Sequence, residues 1–359
     1  MSAAPDNQAV LAALSRVQEP ELHRDLVSLG MIKDLTLDAG RVGFTIELTT
    51  PACPLREQIV REARQAVEAV PGVQQVEVRT TSNVRNDGRT RGLITAPIKN
   101  AVAVASGKGG VGKTTIAVNL AVALAEAGAR VGLLDADVYG PNVPTMMGLK
   151  TMPPPRDGKM VPAEAFGVKV VSMAFLIPPD QPLIWRGPML HSAIRQFIAD
   201  VAWGELDYLI VDLPPGTGDA PLSLAQSLPL SGGLIVTLPQ QVSLDDARRG
   251  LEMFRTMDVP ILGVVENMSY LELPDGSRMD VFGTGGGEKL AAAAGVPFLG
   301  SVPMDARVRI GSDGGRPVVL SDPESAVGIA LQGLARSLAA TLSVRSFQQA
   351  NVIPVSLIE

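Results

Sequence analysis

At 359 residues the chain has room for one large domain and one small one. Hydrophobic residues at 46% and charged residues at 19% make an ordinary globular composition, and aromatics at 4% leave the core to aliphatic packing. A net charge of −6 with a pI of about 5.2 weighs against non-specific nucleic-acid binding, and a single cysteine, Cys53, excludes an intramolecular disulfide.

The opening stretch MSAAPDNQAVLAAL lacks the basic residues and long apolar run of a secretory leader. No segment approaches about 18 uninterrupted apolar residues, so no membrane span is expected. The mean hydropathy of +0.22 comes from many short Val, Ile and Leu runs, as buried parallel strands produce. The expectation is a cytoplasmic protein without a membrane partner.

Residues 1–80 read as a small α+β domain. A helix over Asn7–Gln18 leads to alternating runs at Met31–Leu37 and Arg41–Thr49, joined by the turn Asp38-Ala39-Gly40. An amphipathic helix over Leu55–Ala69 stops at Pro71-Gly72, and a strand over Gln75–Arg79 completes the unit. Residues 81–98 are polar and turn-rich at first and read as a linker.

From residue 99 to 345, apolar runs alternate with helical stretches. AVAVAS, VGLLD, VKVVSM, LDYLIVD, GLIVTL and PILGVVEN are six candidate strands; helices are expected over 114–127, 189–202, 243–256, 286–295 and 324–343. That alternation predicts an α/β fold with a doubly wound, mainly parallel sheet, followed by a tail over 346–359.

Gly107-Lys108-Gly109-Gly110-Val111-Gly112-Lys113-Thr114 fits G-x-x-x-x-G-K-[ST] between a strand and a helix, with Thr115 next. Glycines let backbone N–H groups curl round phosphate oxygens, and the helix start adds its positive dipole end. Lys113 would reach the β- and γ-phosphates of ATP, and Thr114 would bind Mg²⁺. Asp212, closing the run LDYLIVD, stands where an acidic residue backs the Mg²⁺ water shell; Asp135 and Asp137 close the run after the loop, where Asp137 could position an attacking water.

GKGGVGKTT resembles the deviant Walker A motif of the ParA, MinD and nitrogenase iron-protein class of ATPases. The resemblance implies a homodimer in which the earlier lysine, Lys108, crosses the interface to the partner's nucleotide. A cation delivered in this way stabilises phosphoryl-transfer charge only when two subunits close.

LLDADVYGPNVPTMMG, LIWRGPML, WGELDYLIVDLPPGTGD, VVENMSY and FGTGGGEKLA together resemble the Mrp/ApbC group of iron–sulfur cluster carriers. EPELHRDLVSLGMIKDL and TTPACPLREQI resemble the MIP18-like domain often fused to it. The resemblance implies Asn267 near the adenine base, Pro303 near the base-binding edge, Asp137 near the attacking water, and client or iron–sulfur assembly proteins as partners.

In that group a C-P-x-C motif follows N-M-S, and two subunits together supply four thiolates to an iron–sulfur cluster. Here the matching positions are Leu273 and Gly276, around Pro274, and neither ligates iron; Met268 and Met279 are poor substitutes. GTGGGEK beyond them reads as a helix entry. Cys53 sits between a strand and a helix start, where the dipole would favour thiolate; it is either a small buried residue or a thiol for cluster transfer. His23 and His191 read as structural.

Three functions remain open: an ATP-hydrolysing switch in iron–sulfur cluster assembly or transfer, a regulatory ATPase without a cluster, and a positioning ATPase on DNA or membrane. The last is poorly supported, because SVRSFQQANVIPVSLIE has no basic amphipathic face.

Overall fold

A computed structural model describes residues 6–87, 97–176, 187–218, 221–222, 225, 228 and 230–350. The chain forms two compact units: one runs up to Arg85 and resumes at Ala339, the other runs from Asn86 to Leu338.

In the first unit, α1 (Asn7–Leu14) opens on Asp6, whose side chain accepts from the Ala9 N–H. Two short strands, β1 (Gln18–Glu19) and β2 (Arg24–Asp25), pair antiparallel. β3 (Ile32–Asp38) and β4 (Arg41–Leu48) form the expected hairpin, with Asp38 opposite Arg41. α2 (Arg56–Glu68) crosses over to β5 (Gln75–Ser82), which pairs parallel with β4. α2 buries Ile59, Ala63 and Val67, a spacing of four that lies on one helical face.

In the second unit the chain lays down β6 (Ile98–Ser106), α3 (Lys113–Glu126), β7 (Val131–Asp135) and α4 (Val143–Met146). Next come β8 (Ala163–Ala165), β9 (Val168–Ser172), α5 (Gly187–Ala199), β10 (Leu206–Asp212), β11 (Gly232–Thr237), α6 (Gln241–Thr256) and β12 (Ile261–Glu266). The hairpin β13 (Leu271–Glu272) and β14 (Arg278–Met279) precedes α7 (Gly286–Ala294) and β15 (Phe298–Ser301). α8 (Ala306–Asp313), α9 (Val318–Ser321) and α10 (Ala326–Ala350) end the described chain.

The main sheet has the order β15-β12-β11-β6-β10-β7-β9-β8, parallel throughout except for β8 on β9. All six apolar runs are strands, and β7, β10 and β11 are buried from end to end, as strands covered on both faces must be. α3 is buried on nearly every side from Ile116 to Leu124. The order reverses around β6, so the crevice beyond its carboxyl end is where a doubly wound sheet takes its ligand.

Two expectations about boundaries change. The linker expected over 81–98 loses both ends: Thr81 and Ser82 pair with Glu47 and Leu48 in the small sheet, and Ile98 opens β6. Its residues 88–96 lie outside the described residues, as do 183–186 of LIWRGPML and 351–359 of the tail. The break expected at 345 falls inside α10, because SVRSFQQA holds no helix breaker and Phe347 has an apolar place to go. That ring joins Leu14, Phe44, Ile46 and Ile59 in the core of the first unit, with the Arg85 guanidinium carbon 3.8 Å from its centroid.

Within α10, Ala326–Gln348 is the one helix among the described residues long and apolar enough to cross a membrane, at a mean hydropathy of 1.3. Gln332 and Arg336 interrupt it, and Val327, Leu331, Leu334 and Leu338 form a buried stripe, the pattern of a core helix. Phe347→Ala should destabilise the first unit by about 3 kcal/mol, the usual cost of truncating a buried aromatic. Chemical denaturation read by amide exchange on β4 checks this, and an unchanged midpoint would remove the ring from that core.

Candidate nucleotide-binding site

β6 ends at Ser106, whose Oγ donates to the Lys108 carbonyl across 2.9 Å and turns the loop. Gly110 and Gly112 take left-handed φ values of 81° and 82°, and Gly112 caps α3 without a side-chain bond. The first N–H groups of α3 are therefore left for an anion. Two of the glycines are also demanded by space. A Cβ on Gly107 would lie 2.1 Å from the Asp246 carbonyl carbon, and one on Gly112 would lie 2.2 Å from Asn267 Nδ2.

The Lys113 ammonium is buried, 2.6 Å from Asp212 Oδ1 and 3.5 Å from Asp137 Oδ2. Thr114 Oγ1 donates to the other Asp212 oxygen across 2.7 Å. A hydroxyl and a carboxylate oxygen meeting at the head of α3 are hard donors suited to Mg²⁺. Asp137 Oδ1 accepts from the backbone N–H groups of Tyr139 and Gly140 at 3.2 and 3.3 Å, which fixes the loop that carries it.

Asp135 lies beside Asp212 in register on the neighbouring strand. Burial, followed by the Asp212 charge, pushes its carboxyl up to about 8. The Ser172 hydroxyl at 2.8 Å, the Lys113 charge and the Asp137 N–H work against that rise, and the Val143 N–H also donates to Asp135 at 3.3 Å. Burial also raises Asp212, with Lys113 opposing it.

Above these groups opens a cavity of about 710 Å³. Lys108, Gly109, Gly110, Gly112, Lys113, Thr114 and Thr115 form its floor, with Asp137, Asn267 and Pro303 in its walls. Val111 is buried beneath the loop, and Asp212 reaches the site through Lys113 and Thr114. Asn267 Nδ2 donates to the Val111 carbonyl across 2.8 Å, so the side chain expected near a base also braces the phosphate loop. Sequence reasoning missed the wall formed by Met304, Val308, Arg309 and Ser312, because α8 carries no motif. It also missed Tyr139, exposed at 75% on the rim.

Cys53 belongs to the first unit, and the expectation that a helix start favours its thiolate is reversed. Burial pushes the thiol up to about 11, the Glu21 and Glu19 charges add to it, and the amides of Leu55 and Arg56 at the start of α2 oppose it too weakly. GTGGGEK is the helix entry expected, with α7 beginning at Gly286. Leu273 and Gly276 sit in the turn of β13–β14, closed by Leu273 N–H to Ser277 O at 2.8 Å and Gly276 N–H to Leu273 O at 2.9 Å. His23 lies in the first unit at a φ of 51°; the side chain of His191 is outside the described residues.

A phosphate loop, a paired lysine and two strand-end carboxylates under a parallel sheet define a P-loop nucleotide-binding protein. Residues 97–339 match the ParA family, described as NUBPL iron-transfer P-loop NTPase, and residues 7–78 match a family described as iron–sulfur cluster assembly protein. The chain belongs to the iron-transfer P-loop NTPases.

An iron–sulfur cluster carrier protein of Synechocystis sp. is 54% identical over 94% of this chain and 98% of its own length. One from Deinococcus radiodurans is 53% identical over 96% and 97%. A nucleotide-binding protein of Archaeoglobus fulgidus in complex with ADP superposes with a TM-score of 0.55 at 39% identity, covering 61% of this chain and 88% of its own. The Pyrococcus furiosus cell division ATPase MinD shares the fold, with a TM-score of 0.51 at 23% identity over 66% and 97%.

Because burial and the neighbouring Asp212 charge raise the folded Asp135 carboxyl well above the 3.8 of an unfolded aspartate, the folded state holds the extra proton as pH rises above that value. Stability from this group therefore falls over that rise. Asp135→Asn, which cannot ionise, should gain thermal stability over the wild type progressively from pH 5 to pH 8 in Mg²⁺-free buffer. A difference that stays constant with pH would refute the assignment.

Proposed function

We propose that the protein is a homodimeric switch that binds and hydrolyses Mg–ATP in the cytoplasm and serves iron–sulfur cluster assembly or transfer. The observation that carries this reading is the contrast between the two lysines of the phosphate loop. Lys113 is engaged with Asp212 and Asp137 inside its own subunit. Lys108 lines the same cavity, yet among the described residues its ammonium has no hydrogen-bond or ion-pair partner. An uncommitted cation at the mouth of a phosphate site suits a role across a subunit interface.

On this reading Thr114 ligates Mg²⁺ and Asp212 holds the waters of its shell. Lys113 transfers from Asp212 to the β- and γ-phosphates as they enter. Asp137 then orients the attacking water, and Asn267 and Pro303 border the base. ATP closes the dimer by bringing Lys108 to the partner's phosphates, and hydrolysis releases it. The names of the relatives and of both matched families support iron–sulfur chemistry as the work the switch drives.

One observation favours a second version, in which the switch acts without a cluster bridged by its own hairpin. The turn at Leu273–Gly276 is closed by its own hydrogen bonds and supplies no thiol, and the chain's single cysteine is held protonated at neutral pH. Any cluster handled by this protein would then be cargo held largely by donors from its partners.

Lys108→Ala should keep ATP affinity while hydrolysis falls by about 10³-fold, as for other cations supplied in trans. Lys113→Ala should lose the affinity itself. Equal turnover in Lys108→Ala and wild type would sink the cross-subunit role. Anaerobic reconstitution with iron and sulfide should leave wild type and Cys53→Ser with the same substoichiometric iron. A stoichiometric cluster that disappears in Cys53→Ser would overturn the second version.

A further inference from the structure

Glu266 ends β12 with its side chain fully buried, and none of the roles assigned above uses it. Its Oε1 accepts from Ser269 Oγ at 2.5 Å and from the Gly285 N–H at 3.1 Å; its Oε2 accepts from the Gly287 N–H at 2.6 Å. Gly285 caps α7 in the left-handed conformation and offers no side chain, so Glu266 supplies the acceptor that a capping residue would. The approach is close: a Cβ on Gly287 would lie 2.9 Å from Glu266 Cβ and 3.2 Å from Oε2. The last glycine of GTGGGEK, Gly287, is there to admit a carboxylate of the same chain, which takes the place a phosphate would need at that helix start.

The position of Glu266 in the chain gives those bonds a further consequence. Asn267 follows it, with its N–H on the Thr237 carbonyl and its side chain on the phosphate loop at Val111. Ser269 N–H and Met304 N–H bond the Val302 and Tyr270 carbonyls at 3.0 and 2.7 Å, which laces residues 269–270 to the cavity wall that contains Pro303 and Met304. The chain then leaves as the hairpin β13–β14 and returns at Gly285. One carboxylate therefore holds both ends of the segment 269–285, and its backbone neighbour touches the phosphate loop.

We propose that Glu266 is a positioning residue that couples occupancy of the nucleotide cavity to the hairpin at 271–279. Displacement of Asn267 or of the Met304 wall by a nucleotide is passed through Ser269 and the Glu266 carboxylate to both feet of the hairpin. The hairpin carries Met279 half-exposed and the Arg278 guanidinium over the Tyr270 ring at 4.1 Å, so a shift of its feet changes what the surface presents. The inference rests on the ATP-binding reading and adds the route by which that state leaves the cavity.

The chemistry requires a carboxylate. A glutamine in its place has one acceptor oxygen and one donor nitrogen, so in either orientation the amide opposes a backbone N–H and leaves it without an acceptor. Hydrogen exchange across residues 270–285 of the full chain, with and without saturating Mg–ATP, tests the coupling, with ATP binding measured on the same samples. In the wild type, ATP should slow exchange in this segment by about tenfold. In Glu266→Gln the segment should exchange at one rate with or without ATP, while exchange on β10 stays as in the wild type. Should Glu266→Gln fail to fold, Ser269→Ala removes one of the three donors and should lose part of the response. A wild-type hairpin indifferent to bound ATP, or variants that respond as the wild type does, would overturn the coupling alone. A wild type that binds no ATP would overturn the coupling and the reading beneath it together.

Discussion

Asp212 is fully buried, and a lone carboxylate in that position would cost several kcal/mol. The Lys113 ammonium at 2.6 Å and the Thr114 hydroxyl at 2.7 Å are what make it tolerable. The same two bonds decide the shape of the site. They tie the first turn of α3 to the end of β10, which sets the phosphate loop over the carboxyl ends of β6, β7 and β10. Parallel pairing places Asp135 level with Asp212, so the sheet delivers both carboxylates to one spot, and burial beside that charge raises the Asp135 carboxyl. On the proposed reading, an entering Mg–nucleotide would meet an existing ion pair, with Lys113 available to its phosphates and the Thr114 hydroxyl available to its metal.

The sheet and the phosphate loop were legible because each rests on local chemistry. Runs such as AVAVA at 101–105 are apolar at every position, which a strand covered on both faces requires, and G-x-x-x-x-G-K-T admits few backbones. Features set by distant neighbours escaped. β15 is only four residues long and earns its place by pairing with β12. The cavity wall at Val308 and Ser312 lies on a helix without a motif. Cys53 was misjudged because a helix start is visible in TTPACPLR, whereas its burial, and with it the Glu21 and Glu19 charges from more than thirty residues earlier, come only with the fold. The break expected at 345 failed for a related reason: what decides it is the apolar core that accepts Phe347.

The two glycine-rich segments follow opposite rules despite similar spelling. In GKGGVGKTT the glycines leave α3 with an uncapped start facing a cavity, and the cations gather there. In FGTGGGEK the start of α7 is filled by Glu266, and the glycines serve to let that side chain in. What separates a phosphate site from a helix entry is therefore which acceptor reaches the free N–H groups first, one from solution or one from the chain itself. Sequence alone does not display that competition, because Glu266 lies about twenty residues before the glycines it caps.

The hairpin between those features closes on its own hydrogen bonds. Pro274 and Asp275 make a tight turn in which the Asp275 carboxylate accepts from the Ser277 N–H and hydroxyl at 2.9 and 2.6 Å, so the turn is closed by its own side-chain bonds as well. A turn that needs thiolates to close would depend on its cluster for shape; this one does not. Its feet remain fastened to the nucleotide-binding half by Glu266. On the coupling proposed above, the connection to the nucleotide cavity runs through the feet of the hairpin and not through its tip, so the residues of the turn itself are free to vary without breaking it.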